Sequence, residues 1–401
     1  MSKSELRVLI VSQMFPPEKG GNASRIGDLS KHMADELDVT VVSPPPCFPA
    51  SDFDWSWVWE TGETRDGVNV HRLWSWQLRD VDPSFIERML YYFTFVAHAI
   101  FWLFWRREEF DVVVTTSPPI FTGIVALPFR LAGSVKWVVD IRDLWIDVSS
   151  DLGFISENGI ITKISHSYQE FELRKADLIT VTTEGTSEQL RERYNFKSDI
   201  TTIPNGVDIE FFEPLNESTK HDLIYTGNLG YGQDLETCIR SMQFLDNSTT
   251  FQIVGSGDLK SRLENLADDL DLSEQIEFTG LVDREHIPKL LNQSKVGLAP
   301  LKDRDSLSYA IPTKVYEYMA CELPIIALGR GQIETILESS GAGIVASNNP
   351  KQMAQQIERL LLSEQERKRI GKHGRQFVEE KYNRRNIAME LVQQIRTLCV
   401  G

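Results

Sequence analysis

The sequence predicts an α/β fold made of two Rossmann-like, doubly wound parallel sheets. A chain of 401 residues exceeds what one hydrophobic core normally serves, so two domains are expected. The composition, 41% hydrophobic and 25% charged, is that of a globular protein. Short apolar runs alternate with longer helical patterns along the chain, which is typical of parallel strands covered by helices on both faces.

The apolar runs fall into two sets, one in each half of the chain. The first set is 6–11, 39–43, 68–73, 112–116, 137–141, 178–182 and 200–203. The second set is 223–226, 250–254, 276–279, 296–300, 323–327 and 343–345. Strand and helix patterns both lapse between residues 203 and 222. We therefore predict domains at 1–205 and 206–380, facing an interdomain cleft, and a last helix within 381–401 that packs back on the first domain.

Charge and cysteine content disfavour several classes of function. A net charge of −16 argues against a nucleic-acid partner, because such surfaces need excess Lys and Arg. The four cysteines form no C-x-x-C pair and no histidine cluster accompanies them, so we expect no metal and a reducing, cytoplasmic location. The N-terminal segment leads directly into a strand pattern and lacks the apolar length of a signal peptide.

Two loops in the first half of the chain contain glycine or charged residues of the kinds found in binding sites, and each follows a predicted strand. Gly20 and Gly21 precede a helix, so their backbone N–H groups could approach an anion, with Arg25 adding positive charge in the first turn. The alternative is a plain glycine turn.

The second of these loops is a polar cluster at the end of the run 137–141. Asp140, Arg142, Asp143 and Asp147 lie within eight residues at a strand end, a position where polar clusters more often form a site than a surface. The alternative is that Arg142 is paired structurally with a neighbouring carboxylate.

Two glycine-containing loops follow strands of the second half. Gly227 and Asn228 stand in a loop that could cradle a diphosphate with backbone donors, or form an ordinary turn. Gly255 and Gly257 imitate a dinucleotide fingerprint, but Lys260 stands where its third glycine belongs. We interpret the second loop as a tight strand-to-helix turn, and a nicotinamide oxidoreductase is disfavoured.

The stretch AIPTKVYEYMACELPIIALG, residues 310–329, predicts a helix starting near Pro312 and then a buried strand. Lys314 and Glu317 lie three residues apart on one face of its first two turns. They could form a solvated salt bridge worth under roughly 0.5 kcal/mol. They could also hold a charged, hydroxyl-rich ligand, and the two residues alone leave both interpretations open.

Six segments, in their order along the chain, are shared with one known family. They are FPPEKGGNASR, DIRDLW, RKADLITVTTEG, IPNGVD, YTGNLG and PTKVYEYMACELPIIA. Together they resemble the family 4 glycosyltransferases of the GT-B fold over nearly the whole chain. DIRDLW and PTKVYEYMA look most like members that build surface polysaccharides and lipid-linked glycans. The resemblance implies retaining transfer of a sugar from a nucleoside-diphosphate sugar to a glycan or lipid-linked acceptor, without a bound metal.

The resemblance also implies roles for three residues of the predicted helix. Glu317 matches a glutamate that hydrogen-bonds the ribose, since an ionised carboxylate accepts from two vicinal hydroxyls. Lys314, one turn earlier, would face the diphosphate. The helix N-terminus at Thr313 would add backbone donors and a positive dipole.

The sequence departs from the family pattern at three positions. Tyr309 stands where the first glutamate of the usual E-x7-E motif is expected, and Asn228 and Gln233 replace a customary arginine and lysine. The diphosphate charge must then be met elsewhere, by Lys314, Arg25, Arg142, Lys302 or backbone amides. On the acceptor side, Asp140, Arg142 and Asp143 are candidates for orienting the acceptor or handling its proton, and none is assigned as the base.

Two other functions stay open at this point. Hydrolysing UDP-sugar 2-epimerases share the GT-B fold but lack the RDLW and YEYMA forms, and product analysis would separate the two enzymes. A non-catalytic protein of glycan assembly would bind a sugar nucleotide weakly or not at all.

The most apolar segment, residues 89–105, ends in Arg106 and Arg107. It falls short of the roughly 20 residues that a membrane-spanning helix needs. A helix partly dipped into a bilayer at the inner face of the cell membrane is one interpretation, through residues 89–107, and a wholly internal helix is the other. The first interpretation takes Trp102 and Trp105 as outward aromatic residues and finds further exposed aromatics in 52–60.

Overall fold

The computed structural model describes residues 6–49, 52–78 and 84–400. The chain forms two compact units, unit 1 (Met1–Pro204 with Arg385–Gly401) and unit 2 (Asn205–Arg384). Each unit holds a mainly parallel sheet whose strands alternate in sequence with helices. The predicted α/β class is confirmed.

Within the described residues, unit 1 contains an eight-stranded sheet. Its strands are β1 (Arg7–Val11), β2 (Asp38–Ser43), β3 (Glu60–Arg65), β4 (Val68–Leu73), β5 (Val112–Ser117), β6 (Lys136–Ile141), β7 (Leu178–Val181) and β8 (Asp199–Thr202). The order is β3-β4-β2-β1-β5-β6-β7-β8, and only β3 is antiparallel to its neighbour. Central strand β1 places Ile10 opposite Val41 on one side and Val114 on the other. The sheet therefore extends to both sides of β1. Loops at the carboxyl end of β1 lie where ligands of such sheets commonly bind.

Sequence analysis missed strand β3. Its segment, ETGETR, is polar and largely exposed, so it has no apolar run to reveal it. An edge strand with charged side chains is a normal protection against edge-to-edge association.

The helices of unit 1 lie between these strands in sequence. They are α1 (Gly21–Met33), α2 (Phe85–Arg106), α3 (Gly123–Leu131), α4 (Trp145–Asp151), α5 (Ile160–Lys175) and α6 (Glu184–Arg193).

Unit 2, which is described throughout, holds a six-stranded parallel sheet in the order β11-β10-β9-β12-β13-β14. Its strands are β9 (His221–Thr226), β10 (Phe251–Val254), β11 (Ile276–Gly280), β12 (Ser294–Pro300), β13 (Ile325–Leu328) and β14 (Gly343–Val345). Its helices are α7 (Leu235–Ser241), α8 (Lys260–Asp269), α9 (Ile287–Asn292), α10 (Thr313–Ala320), α11 (Gln332–Ser340), α12 (Pro350–Leu362) and α13 (Glu364–Lys381).

The chain then returns to unit 1 through α14 (Arg384–Val400). Ile387, Leu391 and Ile395 of this helix are buried in one cluster with Val8 and Ile10 of β1. The last helix therefore completes the hydrophobic core of unit 1.

Helix α2 contains the most apolar segment of the chain. It begins with a capping box, in which Ser84 and Glu87 satisfy each other's backbone N–H groups. Trp102 does not face outward as predicted: it is 3% exposed, and its Nε1 donates to Glu60 on β3 at 2.8 Å. Trp105, by contrast, is 69% exposed. Among the helices in the described ranges, none combines the length and apolar character needed to cross a membrane.

Candidate functional site

Two glycine loops of unit 2 stack on each other where β9 and β10 end. The N–H of Gly227 donates to Val254 O, and that of Leu229 donates to Ser256 O, both at 2.9 Å. Gly255 has φ +139°, and a Cβ added there would lie 1.9 Å from Gly227 O. Gly255 is therefore required by close loop packing, which explains why it imitates a dinucleotide fingerprint.

Asn228 lies in the first of these loops and is exposed, as is Gly227. The hydroxyl of Tyr225 donates to the Asn228 carbonyl at 2.6 Å, which fixes the backbone of the loop. The side-chain amide of Asn228 lies between Gly230 and Gly257. A Cβ added to either glycine would come within about 2.5 Å of an atom of this amide. The loop thus offers a fixed, solvent-facing backbone.

Lys314 on α10 points into this loop. Its Nζ lies 3.6 Å from the ring centroid of Tyr225 and 3.3 Å from Oε1 of Gln233, to which it donates. A Cβ added to Gly227 would lie 3.3 Å from the same Nζ. The structure therefore brings Lys314 to Gly227 and Gln233, which are far from it in sequence. Lys314 supplies a cation beside position 233, where sequence analysis noted the loss of one.

The environment of Lys314 alters its acidity. The side chain is buried, with the residue 8% exposed, and burial lowers its pKa to about 7, opposed by the nearby carboxylate of Glu317. An arriving anion would reverse the effect of burial, because it favours the charged amine. The site is thus able to gain positive charge when an anion binds.

Helix α10 also positions the other two predicted residues. Thr313 is its first residue, and Glu317 lies one turn after Lys314; both are partly exposed. Tyr318 fixes the helix to the end of β9, since its buried hydroxyl accepts a 2.9 Å hydrogen bond from the N–H of Thr226. Gly297 of β12 leaves room for that ring, as a Cβ there would lie 2.5 Å from it.

Tyr318 and Gly297 were not identified from sequence. The signal for Tyr318 was present in the YEYMA segment, but an aromatic residue at helical spacing reads as ordinary core. Gly297 lies inside a strand, where a glycine commonly indicates that another group packs closely against the backbone.

In unit 1, the structure pairs two predicted site residues with each other. Arg25 and Asp140 form a buried ion pair with contacts of 2.6 and 3.1 Å, and Arg25 also donates to the carbonyl of Ile203. Thr180 donates to Asp140 at 2.8 Å. Both side chains are thus held in a buried network, and the roles of Arg25 as an anion ligand and Asp140 as an acceptor-handling residue stay predictions.

Arg142 and Asp143 follow β6 and differ sharply in exposure. Arg142 is buried and donates through Nη2 to the carbonyl of Pro118 at 2.6 Å, while its Nε and Nη1 have no hydrogen-bond partner among the described residues. Burial lowers the pKa of Arg142 to about 10, opposed by Asp140. Asp143 is exposed. Of the predicted acidic residues here, Asp143 is the one open to a substrate.

The predicted glycines of unit 1 lie at the start of α1. Gly20, with φ +129°, occupies the N-cap position and Gly21 is the first helical residue; both are exposed. No side chain caps this helix. Its first N–H groups are therefore available to an anion.

A cavity of about 590 Å³ lies elsewhere in unit 2 and does not contain these groups. It is bounded by Gly329, Arg330 and Glu334, while Lys314 and Glu317 are absent from its lining. Arg330 is paired with Asp303 and Asp305. We place the candidate site at the glycine loops because the converging polar groups are there. Among the described residues, no three His, Cys, Asp or Glu side chains are grouped as metal ligands would be.

Comparison with known proteins matches both units to glycosyltransferase families. Residues 207–377 match the family described as glycosyl transferases group 1, and residues 20–206 match the glycosyl transferase 4-like domain. A putative colanic acid biosynthesis glycosyl transferase of Escherichia coli, WcaI, is 22% identical over 98% of this chain and 100% of its own. A mannosyltransferase of Mycolicibacterium hassiacum, named MMP alpha-(1->4)-mannosyltransferase, is 23% identical over 72% of this chain and 70% of its own.

Solved structures show the same architecture. Sucrose-phosphate synthase of Thermosynechococcus elongatus aligns with a TM-score of 0.79 at 17% identity, covering 98% of this chain and 99% of that one. Anabaena HepE, crystallised with UDP-glucose, aligns with a TM-score of 0.73 at 13% identity, covering 98% and 100%. At these identities the likeness concerns the fold.

Proposed function

The chain belongs to the family 4 glycosyltransferases of the GT-B fold, and from this premise we propose that it transfers a sugar, with retention of configuration, from a nucleoside-diphosphate sugar. The acceptor is a glycan or a lipid-linked sugar in the synthesis of surface polysaccharide or glycoprotein glycans. The colanic acid biosynthesis name of the Escherichia coli relative supports a role in polysaccharide synthesis, and the UDP-glucose complex of HepE supports the donor class.

The observation that carries the proposal is the position of Lys314. Its amine lies beside the exposed loop at Gly227, and Glu317 follows one turn later on the same helix. A diphosphate held beside this loop by Lys314 would leave the ribose within reach of the Glu317 carboxylate. Carboxylate-to-hydroxyl bonds are charge-assisted and therefore strong.

In the proposed reaction, the bond between the sugar's anomeric carbon and the diphosphate breaks, the acceptor oxygen bonds to the same face of that carbon, and the hydroxyl proton passes to an oxygen of the leaving diphosphate. Negative charge develops on the leaving diphosphate, so preorganised donors and a cation there would supply much of the catalysis. Lys314 is our candidate for that cation. On the acceptor side, Asp143 is the open carboxylate, and the unpartnered N–H groups of Arg142 keep it a candidate for orienting the acceptor.

We further propose a cytoplasmic location at the inner face of the membrane. A peripheral contact through residues 89–107 would present a lipid-linked acceptor to unit 1. No metal is invoked in the proposed mechanism.

The direct test is thermal stabilisation of the purified protein by a panel of UDP-, GDP- and dTDP-sugars. Selective binding at about one hundred times Kd stabilises the folded state by about 2.7 kcal/mol. We expect one nucleotide class to raise the melting temperature, and Lys314→Met to remove the shift. The proposal is wrong if no sugar nucleotide binds. Product analysis with the binding donor then separates transfer from epimerisation.

A further inference from the structure

Helix α2 turns a continuous apolar stripe to solvent. Its exposed residues include Ile86, Leu90, Phe93, Phe101 and Phe104, with Ala97 completing the spacing. Steps of three or four residues keep these side chains on one helical face. The opposite face is buried and mostly apolar, with Phe95, Ala99 and Leu103 among its residues, so both faces of the helix are apolar. Such a helix is normally covered on every side.

Helix α5 repeats the arrangement. Ile160, Ile161, Ile164 and Phe171 are exposed, and Ile160 is 77% accessible. Phe154, in the segment before this helix, is exposed as well. A short isoleucine-rich segment of this kind is typical of a buried core, so the sequence alone does not predict that these residues are exposed.

Helix α3 packs between α2 and α5. The ring of Phe93 on α2 lies 4.8 Å from that of Phe121, just before α3. At the other side, Gly123 of α3 lies so close to α5 that an added Cβ would be 1.6 Å from Oε1 of Glu172. Leu131 of α3 is also exposed. We call the exposed apolar residues of α2, α3 and α5 the apolar face.

The charged residues of these three helices are mainly basic, although Arg174 is paired with Glu170 of the same helix. Among their described side chains, the exposed charged residues are Arg88, Lys163, Arg174 and Lys175. The acidic residues of the same helices are partly or fully buried. Exposed acids flank the helices, at Glu108 and Glu109 after α2 and at Asp151 and Glu157 before α5. In a chain with a net charge of −16, this local excess of basic residues favours an anionic partner.

We propose that the apolar face is a docking surface for an anionic lipid bilayer, with α2, α3 and α5 lying along the headgroup boundary. Apolar side chains would enter the interface while Lys163 and Lys175 meet lipid phosphates. A second copy of the chain fits less well, because a two-fold contact through this face would bring the mainly basic residues of both copies together. The inference rests on the membrane contact proposed for 89–107 and extends it to α3 and α5.

Vesicle flotation of the full chain tests the surface. We would compare phosphatidylcholine vesicles with vesicles that also contain phosphatidylglycerol. One variant carries Phe101→Ser and Phe104→Ser, and another carries Ile160→Ser and Ile164→Ser. The matched control carries Phe244→Ser and Leu362→Ser, which replace exposed apolar residues of unit 2.

We expect the wild type and the control to float with anionic vesicles, and each helix variant to bind at least about tenfold more weakly. A single Lys163→Gln change should weaken binding about fivefold, which corresponds to about 1 kcal/mol for one charge near the surface. Since all four apolar positions are exposed, the melting temperatures of both helix variants should stay close to that of the wild type.

Three results would overturn the proposal. The wild type could stay unbound with anionic vesicles. The α5 variant could float as well as the wild type, which would confine any contact to α2. The wild type could also sediment as a dimer that the helix variants convert to monomers. Lipid binding without stabilisation by any sugar nucleotide would contradict the proposed function while supporting the docking surface.

Discussion

Lys314 combines a positive charge with a buried position, and these two properties oppose each other. The amine faces the ring of Tyr225 and has Gln233 as its hydrogen-bond acceptor. Burial lowers its pKa to about 7, so near neutral pH the empty site holds a mixture of charged and neutral amine. A bound diphosphate would favour the charged form, so binding should take up a proton.

Donor affinity should therefore depend on pH. From pH 7 to pH 9 we expect the affinity for the sugar nucleotide to fall about tenfold, since one pKa unit of difference between free and bound states is about 1.4 kcal/mol. Calorimetry measures this directly, and a sugar nucleotide is preferred to a free diphosphate because it has no terminal phosphate group that titrates near neutral pH. Lys314→Met should bind more weakly and without this dependence. Constant wild-type affinity from pH 6 to pH 9 would contradict the role of Lys314.

Glu317→Gln should weaken donor binding and lower turnover. Losing a charge-assisted hydrogen bond to the ribose would cost about 1.5–3 kcal/mol, or roughly 10- to 150-fold in affinity. Glu338→Gln is the matched control, because Glu338 is an exposed carboxylate of the same unit that borders the separate cavity. Equal affinities of wild type and Glu317→Gln, in a folded protein, would remove the ribose assignment.

The residues of the candidate site differ in how far sequence could place them. The proximity of Lys314 and Glu317 follows from helical spacing, which sequence contains. The contact of Lys314 with Gly227 and Gln233 depends on how α10 packs against β9, and this packing cannot be predicted from the local sequence pattern. The pairing of Arg25 on helix α1 with Asp140 on strand β6 could not be predicted either, because it also depends on packing between elements that are far apart in sequence.

At the scale of elements, helix α5 places a carboxyl group under α3 without a compensating charge. Glu172 is buried, and its Oε2 has no hydrogen-bond partner among the described residues. Burial raises its pKa to about 8. The folded state therefore keeps Glu172 protonated at neutral pH, whereas the unfolded chain releases the proton above pH 4.5.

This raised pKa gives a signed prediction for stability. The contribution of Glu172 to the free energy of unfolding is fully present below about pH 4.5. It is lost as pH rises to about 8, because the unfolded state then holds fewer protons than the folded state. Glu172→Gln should remove that loss, so at pH 8 unit 1 should become more stable by on the order of 2–4 kcal/mol relative to wild type. Urea unfolding at pH 5 and pH 8 measures the difference. An equal effect at both pH values would indicate packing rather than ionisation.

The strands and helices themselves were mostly predictable, and the exceptions have physical reasons. Apolar runs located the central strands because both faces of a parallel sheet are covered. The run 343–345 coincides with β14, and the helix expected near Pro312 is α10. Edge strand β3 carried no such signal. For α2, composition predicted an apolar helix, but the direction of Trp102 was wrong because its partner, Glu60, lies on that missed strand.

At the scale of the whole molecule, the chain crosses from unit 1 to unit 2 and back. Ile395 on α14 is fully buried in the core of unit 1, although it follows all of unit 2 in sequence. Contacts within one core couple residues that are far apart in sequence, and no local pattern reveals which core a terminal amphipathic helix joins.

Ile395→Ala should therefore destabilise unit 1 selectively. A buried Ile→Ala change costs about 2–5 kcal/mol, through lost burial and the cavity left behind. Hydrogen exchange resolved along the chain should show faster exchange in β1 and β2 but unchanged exchange in β9 and β12. Gln393→Ala, an exposed position on the same helix, is the control. Equal acceleration in both units would mean that they unfold as one.

The return of α14 also bears on how the protein emerges from the ribosome. Domains usually fold in the order of synthesis, at about 5–20 residues per second. Here the core of unit 1 lacks Ile387, Leu391 and Ile395 until translation has passed through unit 2, a wait of on the order of 10–40 s. We expect ribosomes stalled shortly after residue 204 to carry a protease-sensitive unit 1. During that interval the incomplete core exposes apolar surface, so chaperones that bind nascent chains should engage unit 1 for longer than unit 2.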